Sequence, residues 1–163
     1  MLRFSLLVLL ALLTACGGEP PAMLNLGDPA PAFRTQRLDG GEVDFPAAAA
    51  GRPRVVRFWA DWCRYCEAEM KAIETVYQRH RERGLEVFAV NAGQDRTAVA
   101  AFIKKLGVTY PVLLDEKSSI AKRYGVVGLP TTYFVDANGV VRGKVIGEAD
   151  EAVFERHVQA LLQ

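Results

Sequence analysis

The chain has little of what several functions require. Of its 163 residues, three are cysteine and two are histidine. A zinc site built on one cysteine pair needs a second pair or well-spaced histidines, and His80 and His157 stand far apart in predicted helices. They read as surface or boundary residues, so no metal and no cofactor is expected. Charge of one sign is lacking too: 20 Lys and Arg face 19 Asp and Glu, a net charge of +1. Nothing there points to nucleic acid. Beyond the N-terminus no apolar run is long enough to span a bilayer. With half of its residues hydrophobic, the chain suits one compact domain of mixed helix and strand.

The first residues are different in kind. Arg3 supplies a positive charge, Leu6 to Leu13 is almost wholly aliphatic, and Leu13-Thr14-Ala15-Cys16 follows. A basic start, a short apolar stretch and small residues make an export signal. Leu-Thr-Ala-Cys resembles the lipobox of bacterial lipoproteins, which implies cleavage before Cys16 and lipid attached to it. An ordinary secretory signal or an uncleaved anchor is the alternative. The expected organisation is a signal peptide over 1–15, a flexible Gly- and Pro-containing tether over 16–25, and one domain over 26–163. With lipid on Cys16, Cys63 and Cys66 remain as an even pair. Export puts them where disulfides persist unless something reduces them.

Asp39-Gly40-Gly41 reads as a hairpin turn, and Pro46 to Pro53 as a loop. Arg54 to Ala60 is a predicted strand. Cys66, Met70, Ile73 and Tyr77 share one face of a helix over Arg64 to Arg83, which Gly84 stops. A strand over Leu85 to Asn91 and a helix over Arg96 to Leu106 follow. Then come a short strand over Pro111 to Leu114 and a short helix over Ser118 to Tyr124. Asn138-Gly139 joins strands over Thr131 to Val135 and Val140 to Ile146, and Asp150 to Leu162 is the last helix. The pattern predicts an α/β fold: a mixed central sheet with helices on both faces.

Cys63-Arg64-Tyr65-Cys66 is the richest segment. Two sulfurs at this spacing, where a strand gives way to a helix, can join or part with little backbone motion. A thiolate is the nucleophile in exchange, and a helix N-terminus favours an anion. Cys63 is therefore the expected attacking, exposed sulfur, and Cys66 the resolving one. Trp59 and Trp62 are expected to shield the site and offer a substrate an apolar platform. Arg64 either lowers the pKa of Cys63 or points into solvent.

Phe58 to Cys66 resembles the active-site segment of thioredoxins. Gly128-Leu129-Pro130-Thr131-Thr132-Tyr133 resembles their cis-proline loop. That resemblance implies a cis Leu129–Pro130 bond beside the cysteines, a Cys63–Cys66 redox disulfide, and a substrate strand pairing with Leu129. Trp62, Leu129 and Pro130 are then the substrate-contacting residues. Within this superfamily the chain is most similar to the TlpA-like group of exported, membrane-anchored reductases (ResA- and CcmG-type proteins). Gly27-Asp28-Pro29-Ala30-Pro31-Ala32-Phe33 with Leu38-Asp39-Gly40 looks like their N-terminal hairpin, and 90–114 like their strand–helix insertion. Glu69 stands where ResA-type members carry a glutamate implicated in proton handling; it also reads as an ordinary acid favoured by the helix dipole. Arg57 stands where thioredoxins have a buried aspartate. A buried Arg requires a partner, and Glu69 is the expected one, which would keep it ionised. Lys71 replaces a proline that kinks this helix in relatives, and Arg64-Tyr65 replaces the Gly-Pro or Glu-Pro of reducing members.

The resemblance implies a monomeric, periplasm-facing, lipid-anchored enzyme. It would reduce disulfides of apocytochromes c or copper-receiving proteins and be recharged by a transmembrane electron donor of the DsbD/CcdA type. The same site running in reverse, as a disulfide donor or isomerase, is the first alternative. A peroxiredoxin-like peroxide reductase is the second, although no Thr-x-x-Cys pocket motif is present. A copper-binding module is the third, against which stands the cysteine spacing.

Overall fold

The computed structural model describes residues 23–46 and 51–163. The expected signal peptide, Cys16 and the tether up to residue 22 lie outside the described residues, as does 47–50 within the Pro46–Pro53 loop. Among the described residues no helix is long and apolar enough to cross a membrane.

A two-stranded hairpin opens the domain: β1 (Phe33–Gln36) pairs antiparallel with β2 (Glu42–Phe45) across the expected Gly-Gly turn. The main sheet contains β3 (Arg54–Trp59), β4 (Glu86–Ala92), β5 (Val112–Asp115), β6 (Thr131–Val135) and β7 (Val141–Ile146), in the order β5-β4-β3-β6-β7. β3 runs parallel to β4 and antiparallel to β6. As the central strand it is covered on both faces, and all six of its residues are buried.

The alternation of β3 sorts the core into two layers. Val55 and Trp59 face a cluster with α1 (Cys66–His80), α2 (Arg96–Leu106) and α4 (Glu151–Leu161). Val56 and Phe58 face the hairpin and α3 (Ser119–Arg123). α2 and α4 begin at Asp95 and Asp150, whose carboxylates accept from the Ala98 and Val153 amides. α1 has no such side-chain cap. Its first residue, Cys66, instead donates its amide to the Cys63 carbonyl at 3.1 Å.

Most bounds shift by a single residue, and those of α1 differ most from expectation. α1 starts at Cys66 rather than Arg64, because residues 63–66 form a turn closed by that bond. It ends at His80, and a 3₁₀ turn over Arg81–Arg83 leads to Gly84 at φ 92°, a left-handed conformation in which a side chain is disfavoured. Lys71 lies within an uninterrupted α1, its ammonium on Glu67 at 3.0 Å.

The histidines divide. His80 is buried, with Nε2 at 2.7 Å from Glu155 Oε1. His157 is half-buried and stacks on Phe134, ring centroids 4.3 Å apart. A Cβ at Gly143 would come within 2.6 Å of His157 Nδ1, so the ring depends on that glycine. Burial lowers the His157 pKa from its ordinary 6.5, and neighbouring Arg156 adds to this. The unfolded chain then binds the proton more readily than the folded one. This ring's contribution is full above pH 6.5 and is lost as pH falls through the lower folded value. Urea midpoints between about pH 8 and 5 are expected to fall more steeply for the wild type than for His157→Phe, because only the former carries the ring at residue 157.

Candidate active site

β3 ends at Trp59, and the chain turns at once: the Cys63 amide donates to the Ala60 carbonyl at 3.2 Å. Cys63 and Cys66 are joined by a disulfide with Cα atoms 5.4 Å apart. Cys63 is 6% exposed and Cys66 is fully buried. The expected order of accessibility holds, but in the disulfide form Cys63 keeps only an edge in solvent, and it lies ahead of the helix rather than on its first turn.

Pro130 stands immediately before β6, and the Leu129–Pro130 peptide is cis. The β3–β6 register pairs Phe58 with Thr131. The loop that carries Leu129 and Pro130 therefore enters β6 at the end of β3 from which the cysteine turn leaves. The Pro130 carbonyl accepts from the Gly147 amide at 2.9 Å, while Leu129 stays half-buried at the edge of the core.

The two tryptophans part company. Trp62 is 69% exposed, but Trp59 is fully buried and stacks on Phe102 of α2 with centroids 5.1 Å apart. Trp59 is thus a floor of the site and not a platform for substrate, because it is an inward residue of the central strand. Arg64 is exposed and lies over the Tyr65 ring at 5.6 Å, which favours its solvent reading.

One helical turn past Cys66 lies the expected ion pair. Arg57 donates from NH2 to Glu69 Oε2 and from NH1 to Thr132 Oγ1 at 3.0 Å. Both partners are buried, Arg57 to 1% exposure. The other Glu69 oxygen accepts from the Ala149 amide between β7 and α4. Tyr110 packs near Arg57 and donates to the Met70 carbonyl at 3.0 Å; burial raises its pKa far above neutrality, so it remains a donor.

A second clamp has no sequence signal. Gln94 Oε1 accepts from the Asp61 amide and from Asn91 Nδ2, both at 2.9 Å. It ties the loop after β4 to the loop that carries Cys63, across 33 residues of sequence. Among the described residues no three histidine, cysteine or acidic side chains converge as metal ligands.

Residues 26–144 match the AhpC/TSA family. The chain belongs to that thioredoxin-like family. It is 32% identical over 136 residues to the thiol-disulfide oxidoreductase ResA of Geobacillus kaustophilus, covering 83% of this chain and 78% of that one. It superposes on a Chlorobium tepidum structure assigned as thiol:disulfide interchange protein DsbE with a TM-score of 0.81 at 27% identity, over 86% of this chain and 99% of the other. A secreted Mycobacterium tuberculosis disulfide oxidoreductase, described as homologous to E. coli DsbE, superposes with a TM-score of 0.72 at 26% identity, over 79% and 96% of the two chains. The fold is that of thioredoxin, and the chain is a thiol–disulfide oxidoreductase of ResA/DsbE type.

The two glutamates of the first α1 turn differ in setting. Glu69→Ala removes the carboxylate paired with a buried guanidinium and is expected to cost about 3–5 kcal/mol in denaturant unfolding. Glu67 shares its solvent-exposed carboxylate between Lys71 and Lys105. Glu67→Ala is expected to leave the unfolding midpoint almost unchanged.

Proposed function

We propose that this oxidoreductase reduces disulfides in client proteins outside the cytoplasm, held at the membrane by lipid on Cys16. One observation supports a protein client most directly. Among the described residues, four of the five exposed large apolar side chains are Trp62, Tyr65, Val127 and Ile146. The first two flank Cys63, Val127 precedes the Leu129–Pro130 loop, and Ile146 pairs with Thr131. An apolar rim of this kind, open around a disulfide, suits an unfolded or extended chain. It does not suit a peroxide, which needs an enclosed polar pocket.

In this reading Cys63 attacks the client disulfide when reduced, and a mixed disulfide forms as one client sulfur leaves. Cys66 then displaces the client's second sulfur, and the enzyme leaves oxidised. Two electrons have passed to the client, and the donor that returns them is a membrane protein of the DsbD/CcdA type. Trp62, Leu129 and Pro130 contact the client. Apocytochromes c and copper-receiving proteins are the substrate classes suggested by the resemblance to the TlpA-like group. The Leu13-Thr14-Ala15-Cys16 motif supports the anchor.

Cys66→Ala should accumulate mixed disulfides with client proteins in cells, and Cys63→Ala none. The purified pair should have a reduction potential below the glutathione range of about −220 to −260 mV. A potential well above that range overturns the reductive direction and leaves the disulfide-donor alternative. Cys16→Ser should move the protein from the detergent phase to the aqueous phase of a cell extract; unchanged partitioning removes the anchor.

A further inference from the structure

We propose that Arg57 is a positioning residue for the exchange reaction: it holds Glu69 as a permanent carboxylate, so that no proton of the dithiol–disulfide cycle is stored at residue 69. This rests on the reading of Cys63 and Cys66 as the exchanging pair.

The argument is one of donors and acceptors. Glu69 Oε2 faces the Arg57 guanidinium, and Oε1 faces the Ala149 amide. Both neighbours only donate. A proton added to either oxygen would satisfy neither donor better, would weaken the charge-assisted bond from Arg57, and would leave the guanidinium without its counter-ion. Nor can Arg57 yield: a guanidinium does not deprotonate in a protein. At 1% exposure it has no solvent to replace its counter-ion. Its other contacts are neutral, the Thr132 hydroxyl and the face of Phe154 at 5.9 Å.

The remaining groups around Glu69 do not outweigh this. Glu148, Asp150 and Glu151, from the β7–α4 loop and α4, line a cleft beside it. Their negative charge favours protonation of Glu69. However, Glu148 and Asp150 face solvent, and Glu151 pairs with Arg79 at 2.6 Å. Screened charges of this kind act weakly beside a cation in direct contact. From the β5 side comes Tyr110, a neutral donor committed to Met70. On α1 itself, Cys66 lies one turn before Glu69.

The proton balance of the cycle then excludes residue 69. When a dithiol opens the Cys63–Cys66 bond, its two sulfurs lose two electrons and leave as a disulfide. Its two protons pass to Cys66 and to either Cys63 or solvent. Arg57 tunes the thiols by keeping the charge one helical turn past Cys66 constant through this change.

Infrared difference spectra of the unmodified protein, before and after reduction by dithiothreitol, test this directly. No new protonated-carboxyl band is expected across neutral pH. A band that appears on reduction and is absent in Glu69→Gln overturns the proposal, although the disulfide has opened and the exchange reading stands. A disulfide that dithiothreitol cannot open overturns both. The alkylation rate of Cys63 against pH gives a second test. The wild type and Arg57→Lys should show one inflection. Arg57→Met should show two, with thiolate at neutral pH reduced roughly tenfold, about one pKa unit. Arg57→Met with Glu69→Gln should return to one. A single inflection in Arg57→Met overturns the proposal.

Discussion

A guanidinium sealed between a sheet and its helices constrains everything near it, since a buried cation without a partner is costly. Arg57 meets that demand with contacts to separate parts of the chain. It lies on β3, which leads into the cysteine turn. Glu69 comes from α1, which begins at Cys66. Thr132 comes from β6, two residues after the cis proline. Phe154 of α4 covers the guanidinium, and the Ala149 amide before α4 holds the far oxygen of Glu69. The segments that bear the two sulfurs and the loop beside them are therefore tied together at one charge pair. None of these contacts is local in sequence, so the pair forms only when the sheet and its helices have assembled.

The opposite face of β3 is built from aromatic rings. Phe33 stacks on Phe45 with centroids 5.1 Å apart, and both meet Phe88 edge-on. Phe58, Tyr124 and Tyr133 continue the cluster. Its hydroxyls are satisfied: Tyr133 donates to the Tyr124 carbonyl at 2.7 Å and Tyr124 to the Pro31 carbonyl at 3.0 Å. This layer docks the N-terminal hairpin without touching the chemistry. It supports β3 from behind.

Much of this was legible in residue order. α2 runs over Arg96–Leu106 as its apolar period indicates, and the Asn138-Gly139 turn joins β6 and β7 as an antiparallel hairpin. The Arg57–Glu69 pair was legible because Arg57 stands where thioredoxins bury an aspartate, a buried arginine must find a partner, and Glu69 is one helical turn past Cys66. Trp59 was misjudged for want of strand phase: Val55, Arg57 and Trp59 point the same way, which commits Trp59 to the core. The Gln94 clamp was invisible. Its three polar groups become neighbours only through the β3–β4 register, which pairs Trp59 with Asn91. The Asp115 carboxylate was equally silent; it receives the Ser119, Ile120 and Ala121 amides and so starts α3.

Strand direction explains why the site lies at one edge of the sheet. β3 and β4 are parallel, so the cysteine turn and the Asn91–Gln94 loop both leave from their C-terminal ends, where α/β sheets place their reactive groups. β6 is antiparallel to β3, so its N-terminal end, with Leu129 and Pro130, meets that same edge. β7 reverses again, and its last residue, Ile146, arrives there too. Leu129 and Ile146 thus reach the edge from which the turn bearing Trp62 and Cys63 leaves, although Ile146 is 84 positions beyond Trp62 in the chain. The buried polar side-chain atoms without a partner among the described residues follow the same geometry: Arg57 Nε, Trp59 Nε1 and Asn91 Oδ1. Native interiors leave few such atoms. Here two alternate along β3, and the third is on the register partner of Trp59.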